Sequence, residues 1–248
     1  MSHTTTETTN LNADLHRLGL LKLEAELDDF LARATRARWN PRQVLEHIVR
    51  SEIDDRARRS VERRLRRSRL GRFKLMLDWD WNWPKKIDRP ALERLLSLEF
   101  MDRADNVILL GAQGLGKTTL AKNIAYQAIL AGRSALFTTA SDLILDLNSQ
   151  DSARTLERRI RHYIRPHLLV IDEIGYLSFD AHAADLLFQI ISRRHELRSI
   201  VVTTNLTFRD WAAIFPNATC AVALIDRLTH HSNIISIHGD SYRRRHAE

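Results

Sequence analysis

Four stretches of this chain are apolar almost without interruption and turn polar at their ends: NVILLG (106–111), SALFTT (134–139), HLLVID (167–172) and SIVVTT (199–204). A strand with one wet face alternates apolar and polar residues. A strand that is apolar throughout is buried on both faces, as in a parallel sheet covered by helices on either side. IISI (234–237) is a shorter fifth run, and the segments between the runs read as helices. The expected fold is α/β: a parallel five-stranded sheet sandwiched by helices.

The first run leads into GAQGLGKT, Gly111 to Thr118, which matches G-x-x-x-x-G-K-[ST] at every position and opens a helical stretch, TTLAKNIAYQAILAG. Strand, loop and helix together are the context this phosphate-binding motif requires. The expected nucleotide contacts are Gly111, Ala112, Gln113, Gly114, Leu115, Gly116, Lys117, Thr118 and Thr119. Backbone N–H groups of the loop and the helix N-terminus would surround phosphate oxygens. Lys117 would reach the β- and γ-phosphates of ATP, and Thr118 would hold Mg2+.

The third run ends in two acids. Asp172 is expected to bind Mg2+ and Glu173 to deprotonate an attacking water, a pairing that favours hydrolysis over phosphoryl transfer to a substrate. The fourth run ends at Asn205. Ligands of open α/β sheets lie beyond the carboxyl ends of the strands, so Asn205 is placed for the γ-phosphate or the lytic water.

Ahead of the sheet lie two helical segments. Residues 14–37 carry apolar side chains at helical spacing. Asn40, Pro41 and Gln43 then form a capping box and first turn for a second helix, 41 to about 69. Leu45, Val49, Ile53, Ala57, Val61 and Leu65 form an i, i+4 stripe on it that is expected to pack, with Arg56, Arg59, Arg63, Arg66 and Arg67 on another face. The division read from this pattern is a basic helical domain (1–72), an aromatic connector (73–103) and the α/β domain (104–248).

Net charge is +7 over 248 residues, but residues 56–74 hold ten basic side chains and one acidic one, so that segment carries +9 and the rest −2. A localised block of this kind points to a polyanion: nucleic acid first, with an acidic protein or anionic lipid as alternatives. Cys220 is the only cysteine. It excludes an intrachain disulfide, reads as a buried thiol, and suits a reducing cytoplasmic setting. MSHTTTETTN at the start lacks the apolar core of a secretory signal, and no run is long enough to span a membrane. His230 and His231 read as structural, since no cysteine or acid nearby completes a zinc-like spacing.

The connector contains LDWDWNWPKK (77–86), with Trp79, Trp81 and Trp83 at every second position. Aromatics spaced this way can stack on single-stranded bases or dock as an extended strap. Asp78 and Asp80 among the rings are wrong for a phosphate groove and favour the strap.

Taken in order, the phosphate loop, LLVIDEIGYL, TTNLTFRDWAAIF, ALIDRLTHHS and GDSYR resemble an AAA+ ATPase of the initiator and helicase-loader group. More closely, they resemble the IstB-type transposition helper ATPases of insertion sequences, over nearly the whole chain. The resemblance implies a role for Arg227 as an arginine finger entering a neighbouring subunit's site, and for Arg243 as a residue reading the γ-phosphate within its own subunit. It implies that the helical insertion at 151–166 faces DNA, with Arg154, Arg158, Arg159, Arg161 and Arg165 on phosphates. Few residues follow the fifth run, so no C-terminal lid domain is expected. The implied function is ATP-dependent self-assembly on duplex DNA, largely sequence-neutral, with ATP sites between subunits and a transposase as partner. The alternative is a replicative helicase loader of the DnaC type.

Overall fold

Parallel pairing in the order β2-β3-β4-β1-β5 organises the α/β part of the chain, here in a computed structural model that describes residues 10–176, 178–215 and 218–242. The side chains of Ala212, Ala218 and Cys220 lie outside the description, as does Arg243, so the readings of Cys220 and Arg243 are not addressed by it. The chain divides into two units, residues 1–62 and 63–248, and one long helix runs through the boundary.

In the first unit, the expected helix over 14–37 is broken into three: α1 (Leu11–Leu18), α2 (Leu21–Ala25) and α3 (Leu27–Arg36). Gly19 takes φ 71°, a left-handed conformation that ends α1 and costs glycine little. Helix α4 (Pro41–Ser68) starts as expected: Asn40 Oδ1 accepts from the Gln43 amide, and Gln43 Oε1 accepts from the Asn40 amide, both at 2.9 Å. The apolar stripe on α4 does not pack as expected. Leu45, Val49 and Ile53 are 63%, 55% and 59% exposed, while Glu52 and Asp55 are buried. Asp55 has both oxygens paired, while Glu52 bonds through Oε1 and keeps Oε2 buried without a partner. Glu52 accepts the Leu23 amide at 2.8 Å, one of the orphan donors of the first turn of α2, and Asp55 takes Arg58 and Arg59 at 2.5 and 2.6 Å. These bonds offset part of the cost of burying two carboxylates on α4.

In the second unit, the connector passes through a 3-10 turn (Met76–Asp78) into α5 (Arg89–Leu96) and α6 (Glu99–Asp102). Asp88 caps α5 through the Ala91 amide at 2.9 Å. Leu98, at φ 68°, separates α5 from α6.

The sheet and its helices alternate from there: β1 (Asn106–Gly111), α7 (Lys117–Leu130), β2 (Ala135–Thr139), α8 (Ala140–Asn148), α9 (Ala153–Ile164) and β3 (Leu168–Ile174). They continue with α10 (Ala181–Arg194), β4 (Ser199–Thr204), α11 (Ala218–Thr229) and β5 (Ser232–Ile237). All four strand pairings are parallel. Ile108, Leu136, Leu169, Ile171, Ile200 and Val202 share one cluster with α8, α10 and α11, which the inner face of α9 joins through Ile160 and Tyr163. Their neighbours Val107, Leu109, Val170 and Val201 point to the other face and are also fully buried, against the side that α7 covers. This is the sandwich expected of continuous apolar runs. Among the described residues no helix is long and apolar enough to cross a membrane.

Candidate nucleotide site

The loop between β1 and α7 sits at the carboxyl edge of the sheet, beside the end of β4. Two of its glycines are required by what lies against them. Gly114 (φ 77°) faces the side chain of Ser241, and Gly116 (φ 85°) faces the ring of Trp79. A Cβ at either position would collide, besides forcing a backbone that L residues avoid. The Lys117 ammonium folds back onto the loop and donates to the Gly111 and Ala112 carbonyls at 2.7 and 2.8 Å.

Thr118 Oγ1 donates to Asp172 Oδ1 at 3.1 Å, so the first turn of α7 and the end of β3 meet as the two motifs require. Asp172 is buried and takes a second hydrogen bond from Thr203 Oγ1 at 2.5 Å. The same Thr203 hydroxyl accepts the Glu173 amide at 2.9 Å. The β3–β4 register shifts between Ile171 and Ile174, and Glu173 lies in that irregularity at φ 63°. This local kink turns the Glu173 side chain out of the sheet and into the cleft, leaving Asp172 inside.

Gln113 to Thr119, Glu173 and Asn205 line one cleft of about 610 Å3. Gly111 and Ala112 stand behind it and contact Lys117 through their carbonyls. The cleft is also lined by Lys74, Trp79 and Trp83 from the connector, where the sequence favoured a docked strap, and by Tyr242 of GDSYR beyond β5. Tyr242 is tied to the loop by its amide, which donates to the Gly114 carbonyl at 3.0 Å, and its ring meets Trp83 edge-on at 6.3 Å. The connector itself is fastened to α7 by Asn123. This buried side chain accepts the Met76 amide and donates to the Lys74 carbonyl, both at 2.9 Å. Thr203 carries no sequence signal, because threonine is ordinary in a strand, and Asn123 carries none, because a lone polar residue inside an apolar helix makes no motif.

Arg227 stands apart from this cleft. It lies near the end of α11, its guanidinium 4.5 Å from the centroid of the Phe188 ring, and its backbone carbonyl accepts from Asn106 at the start of β1. That is the edge of the sheet opposite the phosphate loop.

The arginines divide between the two units. In the first, Arg59 is held by Asp55, while Arg56 reaches the Gly19 carbonyl at 3.3 Å. In the second, Arg63 and Arg66 are exposed on the last turns of α4, and Arg67 joins Arg154, Arg158, Arg159, Arg161 and Arg165 around a concavity of about 1110 Å3. Arg159 is fixed there: it pairs with Asp146 at 2.5 Å, and Asp146 also accepts from Tyr163. Burial alone would raise the Asp146 carboxyl, but these two donors hold it below its ordinary value. Arg161 pairs with Glu157, as does Arg193.

Comparison with known proteins agrees with the architecture and with the chemistry of the loop. Residues 13–248 match the profile of the IstB-like ATP binding protein family. A protein named for ATP binding in the insertion sequence IS5376 of Geobacillus stearothermophilus is 37% identical over 203 residues, 82% of this chain and 81% of that one. A counterpart named for the insertion sequence IS21 of Pseudomonas aeruginosa is 36% identical over 229 residues, 92% of this chain and 86% of that one. Among solved structures, DnaI superposes with a TM-score of 0.55 at 22% identity, covering 68% of this chain and 92% of that one. The replication initiator DnaA, bound to AMPPCP and single-stranded DNA, gives 0.52 at 16% identity, covering 61% of this chain and 45% of that one. At such identities the structural likeness establishes the fold alone, a parallel five-stranded P-loop sheet flanked by helices. The sequence matches establish more: this chain is a member of the IstB-like ATP-binding proteins encoded by insertion sequences.

Proposed function

We propose that the chain is a Mg2+-dependent AAA+ ATPase that assembles on duplex DNA and serves a partner transposase in insertion-sequence transposition. The observation carrying the enzymatic part is the Thr118–Asp172 contact, with Glu173 and Asn205 on the same cleft. A hydroxyl and a carboxylate are hard oxygen donors of the kind Mg2+ takes, so Thr118 and Asp172 fit that ion. Bound there, it would neutralise charge on the β- and γ-phosphates of ATP.

The protein's own groups then divide the work. Lys117 leaves the loop carbonyls for the phosphate oxygens. Glu173 accepts a proton from the water that attacks the γ-phosphorus, while the bond to the β,γ-bridging oxygen breaks and ADP leaves. Asn205 holds that water or the γ-phosphate in line. Arg227, remote from its own subunit's cleft, enters the cleft of the next subunit in a homo-oligomer, which makes hydrolysis depend on assembly. Arg243 reads the γ-phosphate in cis.

Duplex DNA is met by Arg56, Arg59, Arg63, Arg66 and Arg67 on α4, and by Arg154, Arg158, Arg159 and Arg161 on α9, through phosphates. Binding is therefore sequence-neutral and steeply salt-dependent, with each contact adding about −0.9 to the log–log slope. The names of the relatives support a transposase as partner over a replicative helicase, and a cytoplasmic setting follows from that work. The test is ATP-dependent assembly on duplex DNA, followed by particle mass and imaging. Lys117→Ala should abolish it and Glu173→Gln should trap it. Assembly indifferent to both changes overturns the proposal, and preference for single strands moves the reading to a helicase loader.

A further inference from the structure

Three side chains far from the nucleotide cleft converge at the opposite edge of the second unit. His195 follows α10, Glu196 is the next residue in the turn toward β4, and His230 lies between α11 and β5. One ligand atom from each lies within 4.8 Å of the other two. Glu196 Oε1 is 3.4 Å from His230 Nδ1 and 3.8 Å from His195 Nε2. Two ligands of a tetrahedral zinc ion stand about 3.4 Å apart when each bond is about 2.1 Å. One pair is already at that spacing, the second needs a few tenths of an ångström, and the two imidazole nitrogens lie within 4.8 Å of each other and would close by side-chain rotation.

The backbone holds the three in place. His195 caps α10, its amide donating to the Ile191 carbonyl at 2.9 Å, and the His230 amide donates to the Asp226 carbonyl at 2.9 Å. Glu196 takes φ 57°, in a turn closed by the Leu197 and Arg198 amides on the Arg194 carbonyl. Among the described residues, the ion-pair partners of Glu196 are these two imidazoles, and no lysine or arginine claims its carboxylate. His231 packs edge-on against His230 at 4.3 Å and limits its rotation. Sequence spacing hides the site, because the acid and the second imidazole come from some 35 residues upstream of His230.

We propose that His195, Glu196 and His230 form a zinc site that joins the end of α10 to the end of α11, with a fourth position left to solvent. Two imidazoles and a carboxylate are ligands that zinc accepts, and they are too nitrogen-rich for Mg2+. The site is independent of the nucleotide chemistry.

The experiment uses the full chain without nucleotide or Mg2+. Cobalt(II) should give the visible absorption of a tetrahedral or five-coordinate centre at one equivalent, displaced by zinc, and zinc should raise the melting temperature. His195→Ala and His230→Ala should each weaken binding by at least about tenfold, the loss that even outer-shell changes produce. His182→Ala, an exposed histidine at the start of α10, should leave it unchanged. In case a variant misfolds, zinc titration of the wild type by nitrogen-15 NMR should shift His195 Nε2 and His230 Nδ1. A cobalt spectrum surviving in the double histidine variant, or zinc leaving both nitrogens unmoved, overturns the site.

Discussion

The indole of Trp79 lies directly over Gly116 of the phosphate loop, so close that a Cβ on the glycine would strike the ring. Trp79 also meets Trp81 edge-on at 6.5 Å, and Trp81 in turn carries the Arg89 guanidinium 4.3 Å from its ring centroid. The alternating tryptophans are thus occupied by the second unit itself: one on the loop, one on α5, and Trp83 on Tyr242. The aromatic connector forms a wall of the nucleotide cleft.

Trp79→Ala should accordingly weaken ATP binding by about 1–2 kcal/mol, roughly 5- to 30-fold. Titration with a fluorescent nucleotide analogue reads this directly, and duplex binding should change by less than about twofold. Trp81→Ala should cost less nucleotide affinity, because its ring rests on Arg89. Selective loss of single-strand binding, with nucleotide affinity intact, would show that the rings read bases.

Glu173→Gln should keep ATP binding and lower kcat by about 10²–10⁴, the span of a lost general base. Lys117→Ala should lose binding itself. Single-turnover hydrolysis beside equilibrium nucleotide binding separates the two. Equal loss of affinity in both variants would remove Glu173 from the base role.

Much of this site was legible because its determinants are local. Continuous apolar runs set a doubly buried sheet, and the loop spacing placed Lys117 and Thr118 on the first turn of α7. Asp172 and Glu173 were found together, but not their opposite orientations, which come from a kink in the β3–β4 ladder and a hydroxyl on Thr203. Nor did periodicity foresee the burial of Glu52 and Asp55 on α4. Their partners are the Leu23 amide, 29 residues away, and two arginines, and an apolar stripe carries no trace of them. The site at His195, Glu196 and His230 depends on tertiary juxtaposition alone.

Arg227→Ala should assemble on DNA yet hydrolyse ATP about 10³- to 10⁵-fold more slowly, the contribution of a finger supplied in trans. Mixing it with Glu173→Gln, which binds ATP and assembles, is the sharper measurement. A subunit of the second kind carries an intact Arg227 and can complete the cleft of the first, so the mixture should recover activity that neither has alone. Wild-type rates in pure Arg227→Ala would assign the residue to packing on Phe188.

Arg194 is fully buried and holds the insertion helix to the sheet. Its guanidinium donates to the Tyr163, Ile164 and Pro166 carbonyls at 3.0, 2.8 and 2.9 Å, and to those of His167 and Ser199 at 3.3 and 2.7 Å. Burial, and secondarily the Arg198 charge, pushes its pKa down to about 9, still charged at neutral pH. Arg194→Met strands five carbonyls and should destabilise the unit by about 3–5 kcal/mol. At about 2–4 °C per kcal/mol, the melting temperature should fall by roughly 6–20 °C. A shift below about 2 °C would mean that water replaces the guanidinium at no cost.

His162 gives the unit a pH dependence of predictable sign. Burial lowers its pKa from the ordinary histidine value, the Arg159 and Arg69 charges lower it further, and Asp146 opposes them. Its ring stands edge-on to Tyr163 at 5.2 Å, and Nε2 is buried without a hydrogen-bond partner. The unfolded chain therefore binds a proton near pH 6.5 that the folded chain still refuses, so the stability contributed by neutral His162 is complete above about pH 6.5 and is lost as pH falls through that value toward the lower folded pKa. Melting temperatures measured from pH 7.5 down to 5.5 should drop in the wild type and drop less, by a few degrees, in His162→Leu. Phosphates bound in the adjoining basic concavity would favour the charged ring, so saturating duplex DNA should shrink the difference between the two proteins. An identical pH slope in wild type and variant, without DNA, would assign the acid sensitivity to other groups.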